Sequence, residues 1–394
     1  MVVNKISTPR ARIVGGLVLT PTTSHPLPGT VHWTDDTLSD VTIGDEPATD
    51  LGGGTWATIE ADGCWVLPGI VDLHGDAFER CLMPRGGVQF ELDLALQEND
   101  AHLAGAGITT SFLSATDSWE PGLRSRPMLR LLVEALGRRS GENTVLLHVR
   151  HERCNTDDHD ELMSWVTQGA VHLLSFNDHT PGGIAHITGL SASQIERAGV
   201  SRSELEERQR TAIERRTLGF EQEKDLADAA AAVGCRTASH DPSSTADLER
   251  DLRLGVRVAE FPESIGLAQA YLNEGIEVLL GAPNVVRGGS HLGNLSVRDA
   301  LREQAGTLLC SDYHYPSLLQ APFLLLEAGI ADPAGAWSLV SSTPAAAAGL
   351  ADRGRLETGA RADVIVVEPP SLGQQARLRA AISGGKLVWG SFAP

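Results

Sequence analysis

His74 and Asp76 stand two residues apart at the end of the apolar run Val66-Leu67-Pro68-Gly69-Ile70-Val71-Asp72-Leu73. On a strand, side chains at i and i+2 point to the same side. An imidazole and a carboxylate so placed can reach one cation, and the pair suits Zn, Mn or Fe better than Mg or Ca. A lone His-x-Asp is equally compatible with a hydrogen-bonded pair at a strand end, so the rest of the chain must decide. Other apolar segments end in the same way. Glu152 closes Leu147-His148-Val149-Arg150-His151-Glu152, and His179 closes Ser175-Phe176-Asn177-Asp178-His179. His240-Asp241, Glu260 and Asp312 close three more. Apolar strands have no packing reason to stop repeatedly at His, Asp and Glu. The set His74, Asp76, Glu152, His179, His240 and Asp312 is what a two-metal hydrolase needs. A water between two such ions loses a proton near neutral pH and becomes a nucleophile. Asp312 is the catalytic candidate, because it could bind one ion and carry that proton to the leaving group. The expected cofactor is one or two divalent transition metal ions, and the mixed N/O donors accept Zn, Mn or Fe alike.

These residues need a scaffold that brings many strand ends together. Apolar strand candidates alternate with helical stretches from residue 70 onwards, the pattern of a parallel βα-repeat domain. The expected strands are 70–76, 108–115, 144–152, 171–179, 235–240, 256–261, 277–283 and 307–312. Expected helices include 93–105, 126–138, 203–232, 244–253, 264–273, 296–303 and 317–328. Eight units over about 280 residues match a (β/α)8 TIM-type barrel, whose active site is built at the C-terminal strand ends. A doubly wound sheet is the structural alternative. The segment 181–200 is expected as a loop over the barrel mouth. Val-, Thr-, Gly- and Pro-rich segments at the start of the chain read as short antiparallel strands, and Ala362–Val367 and Lys386–Trp389 repeat that texture. The expected division is a small β-sandwich from both termini, 1–69 plus 352–394, and a barrel over 70–351.

The chain has 394 residues and a formal net charge of −19. That charge argues against nucleic acid or an anionic membrane as partner and leaves room for a basic pocket. Five scattered cysteines without a CxxC pair suggest a reducing compartment and no structural zinc knuckle. The N-terminus shows no signal-peptide apolar region, and no apolar run reaches 18 residues, so a cytoplasmic location is the expectation. The lysines are Lys5, Lys224 and Lys386.

The chain resembles the amidohydrolase superfamily in Pro68-Gly69-Ile70-Val71-Asp72-Leu73-His74, in Gly107-Ile108-Thr109-Thr110 and in Ala362-Asp363. One branch is similar over nearly the full length, the α-D-ribose 1-methylphosphonate 5-triphosphate diphosphatase family of the carbon–phosphorus lyase pathway. Its likeness is carried by Met83-Pro84-Arg85, Asp178-His179-Thr180-Pro181-Gly182, Ala238-Ser239-His240-Asp241, the run 281–291 and Ser311-Asp312-Tyr313. The resemblance implies hydroxide attack on the α-phosphorus of a ribose 5-triphosphate, releasing diphosphate. It also implies His-x-Asp in place of the superfamily's usual His-x-His. Many members bridge their metals with a carboxylated lysine; no lysine lies between 6 and 223, and Glu152 is the natural substitute. The chain departs from the branch at Gly75 and Ala77, at Gly183-Ile184-Ala185-His186 and at 118–126.

A triphosphate needs fixed cations or N–H donors. Candidates are Arg80, Arg85, Arg124, Arg150, Arg153 and Arg287. Arg85 and Arg287 are the expected substrate contacts, with Gly288 and Gly289 as a backbone anion nest. His291 either faces substrate or supports a ligand. Glu260 is either a ligand or, as preferred, a group orienting His240 or Arg287; Asp178 is expected in a similar supporting role. The alternative chemistry keeps the metal site and cleaves a C–N bond, as an amidase, deacetylase or deaminase. The expected partner is a small anionic substrate, and a homo-oligomer is the expectation by analogy alone.

Overall fold

A computed structural model describes residues 10–44, 56–139, 143–182, 189–289 and 295–391. Five strands open it: β1 (Arg10–Val18), β2 (Leu27–Thr34), β3 (Thr37–Ile43), β4 (Ala57–Glu60) and β5 (Trp65–Pro68). Eight follow, separated by helices: β6 (Ile70–Gly75), β7 (Ile108–Asp117), β8 (Thr144–Glu152), β9 (Leu173–Asn177), β10 (Arg236–His240), β11 (Val258–Glu260), β12 (Glu277–Gly281) and β13 (Leu308–Cys310). Three close it: β14 (Val364–Glu368), β15 (Arg377–Ser383) and β16 (Lys386–Gly390).

Strands β6 to β13 pair in parallel and in chain order, as the (β/α)8 expectation requires. The sheet closes on itself just past its last strand. Asp312 donates its N–H to the His74 carbonyl at 2.9 Å, and Asp76 donates to the Asp312 carbonyl at 3.0 Å. Asp72 strengthens the seam by accepting both the amide and the hydroxyl of Ser311. Gly75 sits in this seam. A Cβ there would lie 2.8 Å from the Asp72 carboxylate and 2.9 Å from the Tyr315 ring. The middle residue of the His74-Gly75-Asp76 triplet is therefore glycine for want of space.

The period of two decides what each strand shows to each side. On β8, Leu147 and Val149 pack into the layer between strands and helices. His148, Arg150 and Glu152 alternate with them and face inward. Inside the barrel, Val71, Leu73, Phe112, Leu173, Val258 and Leu308 form a separate apolar plug. Truncating Phe112 to Ala there would cost about 3–5 kcal/mol. The polar site stands on top of this plug.

The termini build one sheet with the order β16-β15-β14-β5-β1-β2-β3, and β4 lies beside β1. Val66 pairs with Val366, so the two ends of the chain meet. The sheet is mixed: β1 runs parallel to both β4 and β5, where short antiparallel strands were expected. Trp33, Leu38, Val66 and Val366 belong to its own core.

Three helical details depart from expectation. The stretch 203–232 is two helices, Arg202–Glu214 and Arg216–Val233, broken at Arg215. The second presses against the end of β8 so closely that a Cβ on Gly219 would lie 2.0 Å from the Arg153 carbonyl. The expected loop 181–200 contains a helix, Ala192–Ala198, opened by a Ser191/Gln194 capping box. Strand β12 ends at Gly281, and a short helix, Ala282–Arg287, follows with Pro283 in its first turn. All five cysteines are free. No helix among the described residues is long and apolar enough to cross a membrane.

Candidate active site

The site lies at the C-terminal ends of the barrel strands, and the backbone there is unusual. Asp241, Phe261 and Asp312 follow β10, β11 and β13 with φ of 50°, 57° and 53°. Left-handed conformations are tolerable for Asp and costly for Phe. The Phe261 ring has a structural task at that point. It packs edge-on against His74 and His240, with centroids 5.0 and 5.4 Å away.

Two cavities share one wall. The first, about 240 Å³, is lined by His74, Asp76, His240, Asp241, Asp312 and Arg287 among others. The second, about 380 Å³, is lined by Glu152, His179, Arg124, Arg197, Glu120 and Thr116 among others. Arg150 lines both. Its Nη2 lies 2.7 Å from His240 Nε2, and its Nη1 lies 3.6 Å from Asp76. The six expected ligands therefore divide. His74, Asp76, His240 and Asp312 share the first cavity, and Glu152 and His179 share the second.

Glu260 organises the first group. Fully buried, it accepts from His74 Nδ1 at 2.9 Å, His240 Nδ1 at 3.0 Å and the Ser175 hydroxyl at 3.0 Å. It makes no contact with Arg287, so the support role falls on the histidines alone. Arginine can only donate, so His240 Nε2 must be an acceptor and its proton must sit on Nδ1. Burial, and then Arg150, hold His74 down to about 3; burial and Arg150 likewise push His240 far below its ordinary value. Both imidazoles are neutral, with Nδ1–H on the carboxylate and no proton on Nε2. That is the preparation a metal-binding histidine requires. Arg150, a cation already against one of those nitrogens, marks a position suited to positive charge. The donor set thus fits a divalent transition metal ion. Burial, and then the neighbouring Asp76 carboxylate, raise Asp312 to about 8.

Glu152 organises the second group differently. It accepts the His179 amide at 2.9 Å, His179 Nδ1 at 2.6 Å and Asn177 Nδ2 at 2.6 Å. Burial pushes Glu152 up, but the His179 imidazolium and these hydrogen bonds outweigh it and hold it at about 2. Burial lowers His179, but Glu152 and Asp241 outweigh it and raise it to about 9. Asp241 lies 3.5 Å from the Nε2 of both His179 and His240, so these three side chains converge.

Other expected residues fall elsewhere. Arg85 is exposed in a turn and lines neither cavity. Gly288 and Gly289 form no anion nest, because both amides donate to the Asn284 carbonyl as the cap of the preceding helix. Gly289 still lines the first cavity. Arg287 is there too, with Nη1 3.4 Å from the Tyr313 hydroxyl. His291 lies outside the described residues. Asp178 touches no expected ligand; it accepts from Arg153 and Arg216 and so anchors the loop that carries His179. Lys224 is exposed on its helix, paired with Asp228, and far from a bridging role.

Beside the expected ligands, His148 was missed and Arg150 undervalued. His148 is buried beside His74, with Nε2 3.7 Å from Glu260 and without a hydrogen-bond partner. Arg150 was weighed only as an anion contact, not as the wall between the cavities. The alternation His148, Arg150, Glu152 along β8 was the signal for both.

No family model matches the chain. It is 30% identical to the α-D-ribose 1-methylphosphonate 5-triphosphate diphosphatase of Escherichia coli K12 over 326 residues, 78% of this chain and 84% of that protein. Among solved structures, an amidohydrolase superposes with a TM-score of 0.63 at 17% identity, covering 98% of this chain and all of that one. The β-aspartyl dipeptidase of Fervidobacterium islandicum AW-1 gives 0.63 at 14% identity, covering 97% of each chain. These two likenesses show the fold: a barrel of this type with its terminal β-sandwich. The chain is a hydrolase and belongs to the α-D-ribose 1-methylphosphonate 5-triphosphate diphosphatase family.

Proposed function

We propose that the protein hydrolyses a phosphoanhydride of a phosphorylated ribose phosphonate or a close relative, releasing diphosphate. Support comes from the relative in Escherichia coli and from one feature of the first cavity. Asp312, His74, His240 and Arg287 line it together, so a carboxylate, two imidazoles and a guanidinium share one space. In this reading His74, Asp76, His240 and Asp312, with Glu152 and His179 across Arg150, hold one or two Zn, Mn or Fe ions. Such ions, when bound, polarise a phosphoryl oxygen and make water acidic.

The chain's own residues do the rest. Glu260 fixes the ring planes of His74 and His240. The Asp72–Ser311 bonds fix the backbone that aims Asp312. Asp312 takes a proton from the attacking water as its oxygen bonds to the α-phosphorus. It returns that proton to the medium or to the bridging oxygen as the bond from the α-phosphorus to that oxygen breaks. Sugar 5-phosphate and diphosphate result. Arg287 meets the departing phosphates as a charged donor.

The test is a diphosphate- and phosphate-release screen on sugar and nucleoside triphosphates, run beside N-acyl and amidine panels. The reading expects one diphosphate per sugar 5-phosphate, with activity dependent on a transition metal. Turnover confined to the C–N panels would replace it with the amidase or deaminase alternative. Elemental analysis without metal, and no gain on adding Mn, Zn or Fe, would remove the mechanism altogether.

A further inference from the structure

Apart from Glu152, His179 and Arg150, the reaction as described uses none of the walls of the second cavity. Its walls are polar and rich in guanidinium. Arg124 grips Glu79 through Nε and Nη2, both at 2.8 Å. Arg197 grips Glu120 in the same way, at 3.0 and 3.1 Å. A side-on grip of this kind leaves the Nη1 of each arginine unused by its carboxylate. Burial, and then the neighbouring Arg124, lower Arg197, and both side chains line this one cavity. Arg150 adds a third cation; it is 95% buried, with 5% of its surface exposed, and its Nε has no hydrogen-bond partner. Thr116, only 6% exposed, lines the same cavity, and its hydroxyl is buried without a partner. Unpaired buried donors are costly and rare, and they mark where an acceptor belongs.

We propose that this cavity binds the remote anionic head of the substrate. The ligand class is a tetrahedral phosphonate or phosphate at the end of the sugar away from the bond that breaks. The assignment rests on the phosphoanhydride reading above. It gives that reading a polarity: leaving diphosphate on the Arg287 side, sugar and remote oxyanion on the Arg197 side, Arg150 between them. Arg124, Arg197, Arg150 and Thr116 supply the donors. Glu79 and Glu120 hold two of the arginines in place and keep the cavity from binding every passing anion.

The experiment compares two ribose 5-triphosphates, one with methylphosphonate at C1 and one with a free C1 hydroxyl. Wild type, Arg197→Ala and the near-isosteric Thr116→Val are assayed with metal loaded. Wild type should prefer the phosphonate by about 10- to 150-fold in kcat/KM, carried by KM, as expected for charge-assisted hydrogen bonds. Both variants should erode that preference. A preference unchanged in both overturns the assignment. A second measurement needs no turnover: methylphosphonate is titrated against each protein by phosphorus NMR, with inorganic phosphate as a parallel arm. Saturable broadening by both ions that is lost in Arg197→Ala supports a tetrahedral-oxyanion site; binding that survives both variants, or none in wild type, overturns it. If wild type cleaves neither triphosphate, the phosphoanhydride reading fails while the titration still decides the subsite.

Discussion

Glu260 and Glu152 each hold histidine Nδ1 atoms, yet they leave those histidines in opposite states. The partners of Glu260 are neutral: His74 is held at about 3 and His240 far below its ordinary value. The partner of Glu152 is an imidazolium, raised to about 9. The carboxylate contacts are similar, between 2.6 and 3.0 Å. What differs is the far nitrogen and its surroundings. His240 Nε2 faces the Arg150 guanidinium at 2.7 Å, which repels a proton. His179 Nε2 faces Asp241 at 3.5 Å, without an arginine against it, and the proton stays. His240 lies equally far from Asp241, yet burial lowers it first and the closer Arg150 guanidinium adds to that. A histidine's charge is set by burial and by the group on each ring nitrogen, and in the metal-free protein burial with Arg150 keeps His74 and His240 neutral while Glu152 and Asp241 keep His179 charged.

The largest effect should come from the first cavity. Asp312→Asn should lower kcat by about 10²- to 10⁴-fold, the range for losing a general acid–base. Turnover near wild type would show that Asp312 carries no proton. Next comes the pair of carboxylates. Glu260→Gln should weaken metal retention by about 10- to 100-fold, the usual cost of removing a support for ligating histidines. Glu152→Gln should cost less, because the amide keeps one oxygen for the metal and one histidine loses its partner, where Glu260→Gln unsettles two. Metal content after dialysis against a graded chelator compares them; equal losses would break the contrast. Gly219→Ala attacks only the side of the second cavity. Its Cβ must push the helix Arg216–Val233 off the end of β8, at about 1–3 kcal/mol. A melting temperature unchanged from wild type would contradict that close approach.

The smallest effect is one of pH on metal-free protein. His179 is raised from 6.5 to about 9, so its pair with Glu152 stabilises fully below pH 6.5 and fades as the pH rises through about 9. Thermal melts in chelator at pH 6.5 and 9.5 should show a decline that His179→Gln lacks. An identical decline in both proteins would assign it to other groups.

Much of this was legible in the sequence. Each of the eight barrel strands was expected within a few residues, because apolar runs buried on both faces of a parallel sheet announce themselves. The metal-competent residues were found where those runs stop. The partition of the site was not legible, because it depends on which way Arg150 reaches across the barrel. His148 and Arg150 could have been found by following the alternation on β8 back from Glu152. The Gly288-Gly289 assignment failed because the sequence does not say that a helix, with its own unsatisfied carbonyls, ends there. Gly75 looked like a departure from the branch and proved to be a steric demand of the barrel seam. The helix Ala192–Ala198, with Arg197 on it, was hidden in a segment read as loop, although Ser191-x-x-Gln194 is a capping signature.

The most direct test of the account follows the oxygen. The metal-loaded enzyme is run on a ribose 1-phosphonate 5-triphosphate in ¹⁸O-water, and the products are read by phosphorus NMR. Attack at the α-phosphorus places one label on the sugar 5-phosphate and leaves diphosphate unlabelled. Label in the diphosphate, or release of inorganic phosphate in its place, would contradict the proposed reaction.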